Sequence, residues 1–317
     1  MTYPHITYAR ENGTSDIFEI HQKIGKGTYG VVRKVLHLNT HKIYAMKIIS
    51  TKQYNNEKGQ IILEKMKNEI AIQKNLDHPN IVRFKLAFSD KSHQYIVLEY
   101  CPGNTILEYM LKRKAKHLSE PETRQILKDV INGLIYLHNR KIIHHDIKLE
   151  NFIIGSDGKV KISDFGLSSL MKDKHQKNYM VCGTTAYMSP EMLDEDGIKG
   201  HSFEVDIWAV GISAFLMLTG RLPFEGPDQD TIEEKIKNCD YRFPQVNPIS
   251  LEAKDFIEKI FQIDPKKRPA LIDLLEHPFL TKIDKKKIRL YRLHKSHAVH
   301  KYCNPITQQS VQKLKFQ

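Results

Sequence analysis

Cysteine is scarce and scattered: the 317 residues hold four, Cys101, Cys182, Cys239 and Cys303, with no CxxC pair among them. That spacing argues against a zinc site or a disulfide framework, and a reducing compartment is the simplest expectation. Long apolar runs are missing too. The longest nearly uncharged one, residues 207–220, has 14 residues, short of the roughly 20 that a membrane helix needs, so it reads as a buried core helix. The start, MTYPHITYAR, has no apolar signal core and no glycine after Met1, so nothing in it addresses the chain to export or to myristoylation. No membrane span and no nucleic-acid partner are expected. A cytoplasmic location is expected, with the nucleus as a further option.

What is present is the composition of an ordinary folded protein, 40% hydrophobic and 27% charged, with enough apolar material for one or two domains. The net charge of +12 is uneven, because residues 281–317 carry ten Lys/Arg against one Asp and leave about +3 for the rest. Within this tail Lys285-Lys286-Lys287-Ile288-Arg289-Leu290-Tyr291-Arg292 interleaves basic with apolar residues. Such a stretch reads either as a solvated extension or as a helix for an acidic partner, an import receptor, an anionic membrane or calmodulin.

Residues 1–16 are polar and read as loose. From 18 to 49, β-branched and aromatic residues with turn signals at 25–30 and 39–41 predict three antiparallel strands. Residues 61–75 switch to a helical period through Met66, Ile70 and Gln73. Strands are expected again at 81–88 and 95–100, and helices at 120–139, 203–219, 251–261 and 270–276. The expected fold class is α+β: a small antiparallel sheet lobe with one key helix, followed by a larger, mainly helical lobe.

Three groups of residues carry chemistry. Gly25-Lys26-Gly27-Thr28-Tyr29-Gly30 would let backbone N–H groups approach phosphate oxygens with no Cβ in the way. A dinucleotide loop would lead into a helix, but Val31-Val32 continue as a strand, so a glycine-rich phosphate turn or a plain tight hairpin remain. Lys47 follows within the apolar strand Tyr44-Ala45-Met46-Lys47-Ile48-Ile49. A lysine there is either on a solvated face or buried and in need of partners, with phosphates and the carboxylate of Glu69 as candidates.

The third group is the most specific: His144-His145-Asp146-Ile147-Lys148-Leu149-Glu150-Asn151, then Asp164-Phe165-Gly166. Between them two short strand-like runs, 152–154 and 160–162, flank the turn Gly155-Ser156-Asp157-Gly158. A hairpin brings its ends together, so Asn151 and Asp164 can reach one magnesium cluster. Asp146 is then placed to accept a hydrogen bond from a substrate hydroxyl, and Lys148 to neutralise charge on a transferred phosphoryl group.

Together these motifs resemble the eukaryotic protein kinases over residues 18–280. The resemblance implies a two-lobed kinase domain with a small lobe at 18–100 and a large one at 101–280, preceded by an extension at 1–17 and followed by the basic tail at 281–317. It implies ATP and Mg2+ as nucleotide and cofactor, and protein substrates with Ser/Thr acceptors. Residue by residue, Asp146 is similar to the catalytic base, Lys47 to the phosphate-holding lysine paired with Glu69, and Asn151 and Asp164 to the metal ligands. Leu98 resembles the gatekeeper, Glu99 and Cys101 the hinge, and Val32, Ala45 and Ile153 the apolar sandwich around adenine. Glu191, in Ser189-Pro190-Glu191, and Arg268 resemble the ion pair that anchors the activation segment, and Asp206 the brace of the catalytic loop. Lys148 and Thr184 are similar to the features of serine/threonine specificity.

Gly200-His201-Ser202-Phe203-Glu204-Val205-Asp206, Leu118-Ser119-Glu120-Pro121-Glu122 and Gln73 resemble the polo-like branch, although Val32 stands where that branch has cysteine. The 37 residues after Leu280 are too few for polo boxes. Two further departures pair up: His145 replaces the arginine usual before the catalytic aspartate, and Met180 stands where relatives carry a phosphorylated threonine. The expected consequence is activity without phosphorylation at that position, with Tyr179, Ser168 and Ser169 as other acceptors. Glu150 resembles an acid that reads upstream arginine, but Thr105 and Leu216 occupy the positions of its companion acids. The alternative function is a pseudokinase serving as a nucleotide-binding scaffold, against which stand Lys47, Asp146 and Asp164. A small-molecule kinase is a third reading.

Overall fold

The computed structural model describes residues 4–10, 12–27, 30–51, 57–173, 176–179, 182–194, 200–245 and 248–283. Its first half is one six-stranded antiparallel sheet in the order β1-β2-β3-β4-β6-β5, made of β1 His5–Ala9, β2 Ser15–Gly27, β3 Gly30–His37, β4 Lys42–Ser50, β5 Phe84–Ser89 and β6 His93–Glu99. Helix α1, Glu57–Gln73, crosses between β4 and β5. Alternation along β4 sorts its side chains. Met46 joins Phe18, Val35, Phe88, Tyr95 and Val97 on one face, while Ile49, two residues from Lys47 and so on the opposite face, packs with Met66 of α1 and Ile96. That packing holds α1 against the face from which Lys47 projects.

The expectation of loose residues 1–16 is corrected for the part described. β1 pairs with β2 from His5↔Glu19 to Ala9↔Ser15, and its outward and inward residues alternate. Tyr8 stacks on Phe88 at 4.8 Å. Arg10 donates to both carboxylate oxygens of buried Asp16, at 2.6 and 2.8 Å, and His37 Nε2 lies 2.8 Å from the same carboxylate. An edge strand of five residues is secured by a paired buried charge and an aromatic contact, neither visible as local hydrophobicity.

The second half is helical: α2 Ile106–Leu111, α3 Glu120–Asn139, α4 Glu204–Thr219, α5 Gln229–Asn238, α6 Leu251–Ile260, α7 Leu271–Glu276 and α8 Pro278–Thr281. The helices expected at 120–139, 203–219, 251–261 and 270–276 are there to within a residue, while α2, α5 and α8 were not expected. α2 is six residues long and is set by a capping box in which Thr105 Oγ1 accepts from Glu108 N–H. α5 buries one of its ten residues, Ile236, so its amphipathic stripe is thin. α4 is the buried core helix expected at 207–220, with Trp208, Ile212 and Phe215 packed in the main core and Gly220, at φ +75°, closing it in the left-handed conformation. Among the described residues no helix is long and apolar enough to cross a membrane.

Two short pairs lie where the halves meet: β7 Ile142–Ile143 with β10 Ser169–Leu170, and the hairpin of β8 Phe152–Ile154 with β9 Val160–Ile162. Val82 N–H donates to Ile162 O and Ile162 N–H to Asn80 O, which ties the hairpin to the chain entering β5.

Candidate active site

Lys47 and Glu69 are 4% and 1% exposed, and Lys47 Nζ sits 2.8 and 2.9 Å from the two oxygens of Glu69. A second acid arrives from 117 positions away: Asp164 Oδ1 is 3.3 Å from the same ammonium. Burial works against the charge on Lys47, but Asp164 and Glu69 outweigh it and its pKa is raised. Burial likewise disfavours the Asp164 carboxylate, and the attraction and hydrogen bond of Lys47 turn the balance, so its pKa is lowered. Glu69 is pushed up, by burial first and by the neighbouring negative charge of Asp164, against the pull of Lys47. The site holds one cation and two acids, leaving negative charge that a divalent ion or further donors can offset.

The hairpin does the rest of the gathering. Phe152 pairs with Ile162, and Ser163 N–H donates to Asn151 O at 2.9 Å, which sets Asn151 and Asp164 at one open end. Asp164 takes φ +61°. Phe165, fully buried, meets the His144 ring edge-on at 5.1 Å. Asn151 Nδ2 donates to the carbonyl and to Oδ2 of Asp146, both at 2.8 Å. Its donor is thus spent on the loop, and its oxygen is the group available to a cation. Lys148 Nζ reaches Asp146 Oδ2 at 2.8 Å and Thr184 Oγ1 at 3.0 Å, so the expected pair of lysine and threonine is in contact.

Asp206 braces this loop from α4. It accepts the backbone N–H of His144 at 2.9 Å and of His145 at 3.0 Å, and faces His138 Nε2 at 2.9 Å. Burial opposes its charge, yet the His138 hydrogen bond and the surrounding imidazoles hold its pKa at about 2. Glu191 and Arg268 form a two-pronged pair at 2.7 and 2.8 Å, and Arg268 also donates to Glu204 O and Gln262 O while lying 4.9 Å from the Trp208 ring. Each nitrogen of that guanidinium donates a hydrogen bond, as a buried charge requires.

For the other residues read from the sequence, β3 and β4 place Val32 opposite Lys47, and β4 and β6 place Ala45 opposite Leu98. Ile153 comes from β8, bridged to Thr105. The Glu99 side chain is tied to Lys161 Nζ at 3.1 Å and to Arg83 N–H at 3.2 Å, and its N–H donates to Arg83 O at 2.8 Å, so its carbonyl is the group left for a ligand. Burial pushes the Cys101 thiol up to about 12, which makes it a packing residue at neutral pH rather than a nucleophile. Gly25, Lys26, Gly27 and Gly30 end β2 and open β3. A Cβ on Gly30 would lie 2.2 Å from Ile48 O, whereas one on Gly25 would meet only ordinary contacts, so Gly30 is fixed by backbone packing. Thr28, Tyr29 and Met180, with the tail beyond Ile283, lie outside the described residues.

The model of the protein kinase domain matches residues 18–280. The chain belongs to the protein kinase family. Among its relatives are cell cycle serine/threonine-protein kinase CDC5/MSD2 of Saccharomyces cerevisiae, 39% identical over 236 residues, 74% of this chain and 33% of that protein. Serine/threonine-protein kinase PLK1 of Xenopus laevis is 38% identical over 259 residues, 81% of this chain and 42% of that protein. Serine/threonine-protein kinase polo of Drosophila melanogaster is 38% identical over 258 residues, 81% and 43% respectively. This kinase chain spans about two fifths or less of the length of these relatives, which bear out the polo-like resemblance read from the residues.

The sequence reading missed one contact of this kinase. His201, taken there only as part of a branch marker, points its Nε2 at His145 Nε2, 3.2 Å away. No spacing rule links positions 56 apart, and its one signal was a histidine in place of the usual arginine.

Proposed function

We propose that this chain is a catalytically active protein serine/threonine kinase that transfers the γ-phosphoryl group of ATP to Ser/Thr hydroxyls of protein substrates, without needing phosphorylation at the position of Met180. The observation that carries it is Lys47 Nζ bridging Glu69 and Asp164: three residues from β4, α1 and the start of the activation segment converge on one point.

The donor set fits magnesium. Asn151 and Asp164 offer hard oxygens, and among the described residues no three His, Cys, Asp or Glu side chains could hold a metal by themselves. One amide and one carboxylate suit an ion that keeps waters and takes nucleotide phosphates as its other ligands. When bound, magnesium would offset phosphoryl charge. Lys47 would hold the α- and β-phosphates, and Val32, Ala45 and Ile153 would flank the adenine beside the backbone of Glu99 and Cys101. Asp146 would orient the substrate hydroxyl and accept its proton. Lys148, already between Asp146 and Thr184, would stand beside the transferred group.

Independence from phosphorylation is supported by the paired loss of arginine and threonine at positions 145 and 180, since a guanidinium there serves to hold a phosphate. A phosphate-transfer assay on a general protein substrate, before and after phosphatase treatment, tests both parts. Asp146→Asn is expected to lower kcat by about 10²–10⁴, and phosphatase treatment to leave the unaltered protein active. Equal signal from the two proteins would instead favour a nucleotide-binding scaffold.

A further inference from the structure

His145 stands at φ +65°, with its N–H held by Asp206. Its ring is buried and among the described residues makes two polar contacts: Nδ1 is 3.1 Å from Leu167 O, and Nε2 is 3.2 Å from His201 Nε2. The ring planes stand at 87° to each other, with centroids 5.2 Å apart. A carbonyl oxygen only accepts, so the hydrogen of His145 is on Nδ1, its Nε2 is bare, and the hydrogen between the rings belongs to His201. His201 is itself anchored: its backbone exchanges hydrogen bonds in both directions with Asn178, each 2.8 Å. Asn178 Nδ2 donates to Ser169 Oγ, and Ser169 pairs with Ile143 of β7. A closed circuit therefore runs from the catalytic loop through Leu167, along the activation segment to Asn178, across to His201 and back to the loop.

We propose that His145 and His201 form a neutral imidazole–imidazole latch that positions the catalytic loop against the activation segment, in the place where a guanidinium and a phosphate would act by charge. The inference rests on the phosphorylation-independent reading above and supplies its physical means. Both rings stay uncharged at neutral pH. Burial lowers the pKa of His145 against the pull of Asp206 from α4, with His144 and His138 adding to the lowering. Burial also takes His201 down to about 4, with His145 and Lys177 acting the same way and Glu191 and Asp206 opposing. His145 and His201 are positioning residues; neither touches the reacting atoms.

The test uses the full chain, phosphatase-treated and shown by mass to carry no phosphate, with its histidines labelled with ¹⁵N. Long-range ¹H–¹⁵N spectra are expected to show His145 as the Nδ1–H tautomer and His201 as the Nε2–H tautomer. His201→Leu should lower kcat about tenfold, equivalent to about 1.4 kcal/mol, with the KM for ATP within about twofold. His201→Gln, whose amide N–H can reach the bare Nε2, should recover to within about threefold of the unaltered protein. If the phosphate-free protein is inactive, the phosphorylation-independent reading fails whatever the tautomers. If it is active but His201 carries its hydrogen on Nδ1, or a folded His201→Leu keeps full kcat, the latch is overturned and that reading stands. Should His201→Leu not fold, the tautomers and the activity of His201→Gln decide.

Discussion

In the cleft the catalytic apparatus sets charge against charge, Lys47 between Glu69 and Asp164, whereas toward the activation segment the same loop is held by neutral rings, His145 on His201, over a single carboxylate, Asp206. The difference follows from what each region has to meet. Charges in the cleft are available to nucleotide and metal, so their mutual attraction is also a means of binding. Behind the loop the buried rings of His145 and His201 face each other, and in the proposed latch a satisfied pair of uncharged donors and acceptors avoids the penalty of burying ions. On the proposed reading, one region answers to ligands and the other holds its geometry without a covalent phosphate.

The comparison can be broken most forcefully from the charged side. Lys47→Met removes the only cation of the triad while keeping most of the bulk, and kcat/KM for ATP is expected to fall by about 10²–10³. A variant retaining a tenth of the activity would show that the triad is structural. On the other side, Asp206→Asn removes the carboxylate that gathers His138, His144 and His145. Its pKa of about 2 in the fold lies below the ordinary 3.8, so its stabilisation is complete above pH of about 4 and is lost as pH falls through 2. That contribution is about 2 kcal/mol. Urea unfolding at pH 7 should show a loss of this size, and the variant should lack the decline between pH 4 and 2; an unchanged acid slope would break the assignment.

The smallest effect is expected at Glu150, which resembles an acid that reads upstream arginine. Burial raises its pKa, and Oε2 has no hydrogen-bond partner among the described residues. The companion positions are committed to structure, Thr105 as the cap of α2 and Leu216 within the core. On a peptide array, Glu150→Gln should change selection for upstream arginine by no more than about fivefold. A larger change would make it a principal specificity residue.

The cleft was legible in the sequence because each of its parts is a local word: a lysine inside an apolar strand, an aspartate and asparagine bracketing a hairpin. Folding only had to bring the words together, as the 3.3 Å contact between Lys47 and Asp164 does. The neutral latch was not legible, since His145 and His201 are joined through the fold and not through any pattern along the chain. The same distinction covers the fold. The helices expected at 120–139, 203–219, 251–261 and 270–276 were read to within a residue, and α1, expected at 61–75, begins four residues earlier at Glu57, whereas α2, fixed by one capping box, and α5, with its single buried residue, gave too little signal. The glycines at 25–30 were read as either a phosphate turn or a plain tight hairpin, and for Gly30 the approach of Ile48 O is reason enough.

β1 shows that likeness to a family and the physical limits of a fold need not coincide. The family match begins at Phe18, inside a strand that is already paired on its outer side. A version trimmed there would lose Arg10 and Asp16 together, strand His37 without its carboxylate, and lay bare the Phe88 ring that Tyr8 covers. Such a fragment would leave that ring and the outer edge of β2 uncovered, an unpaired edge of the kind that invites another strand.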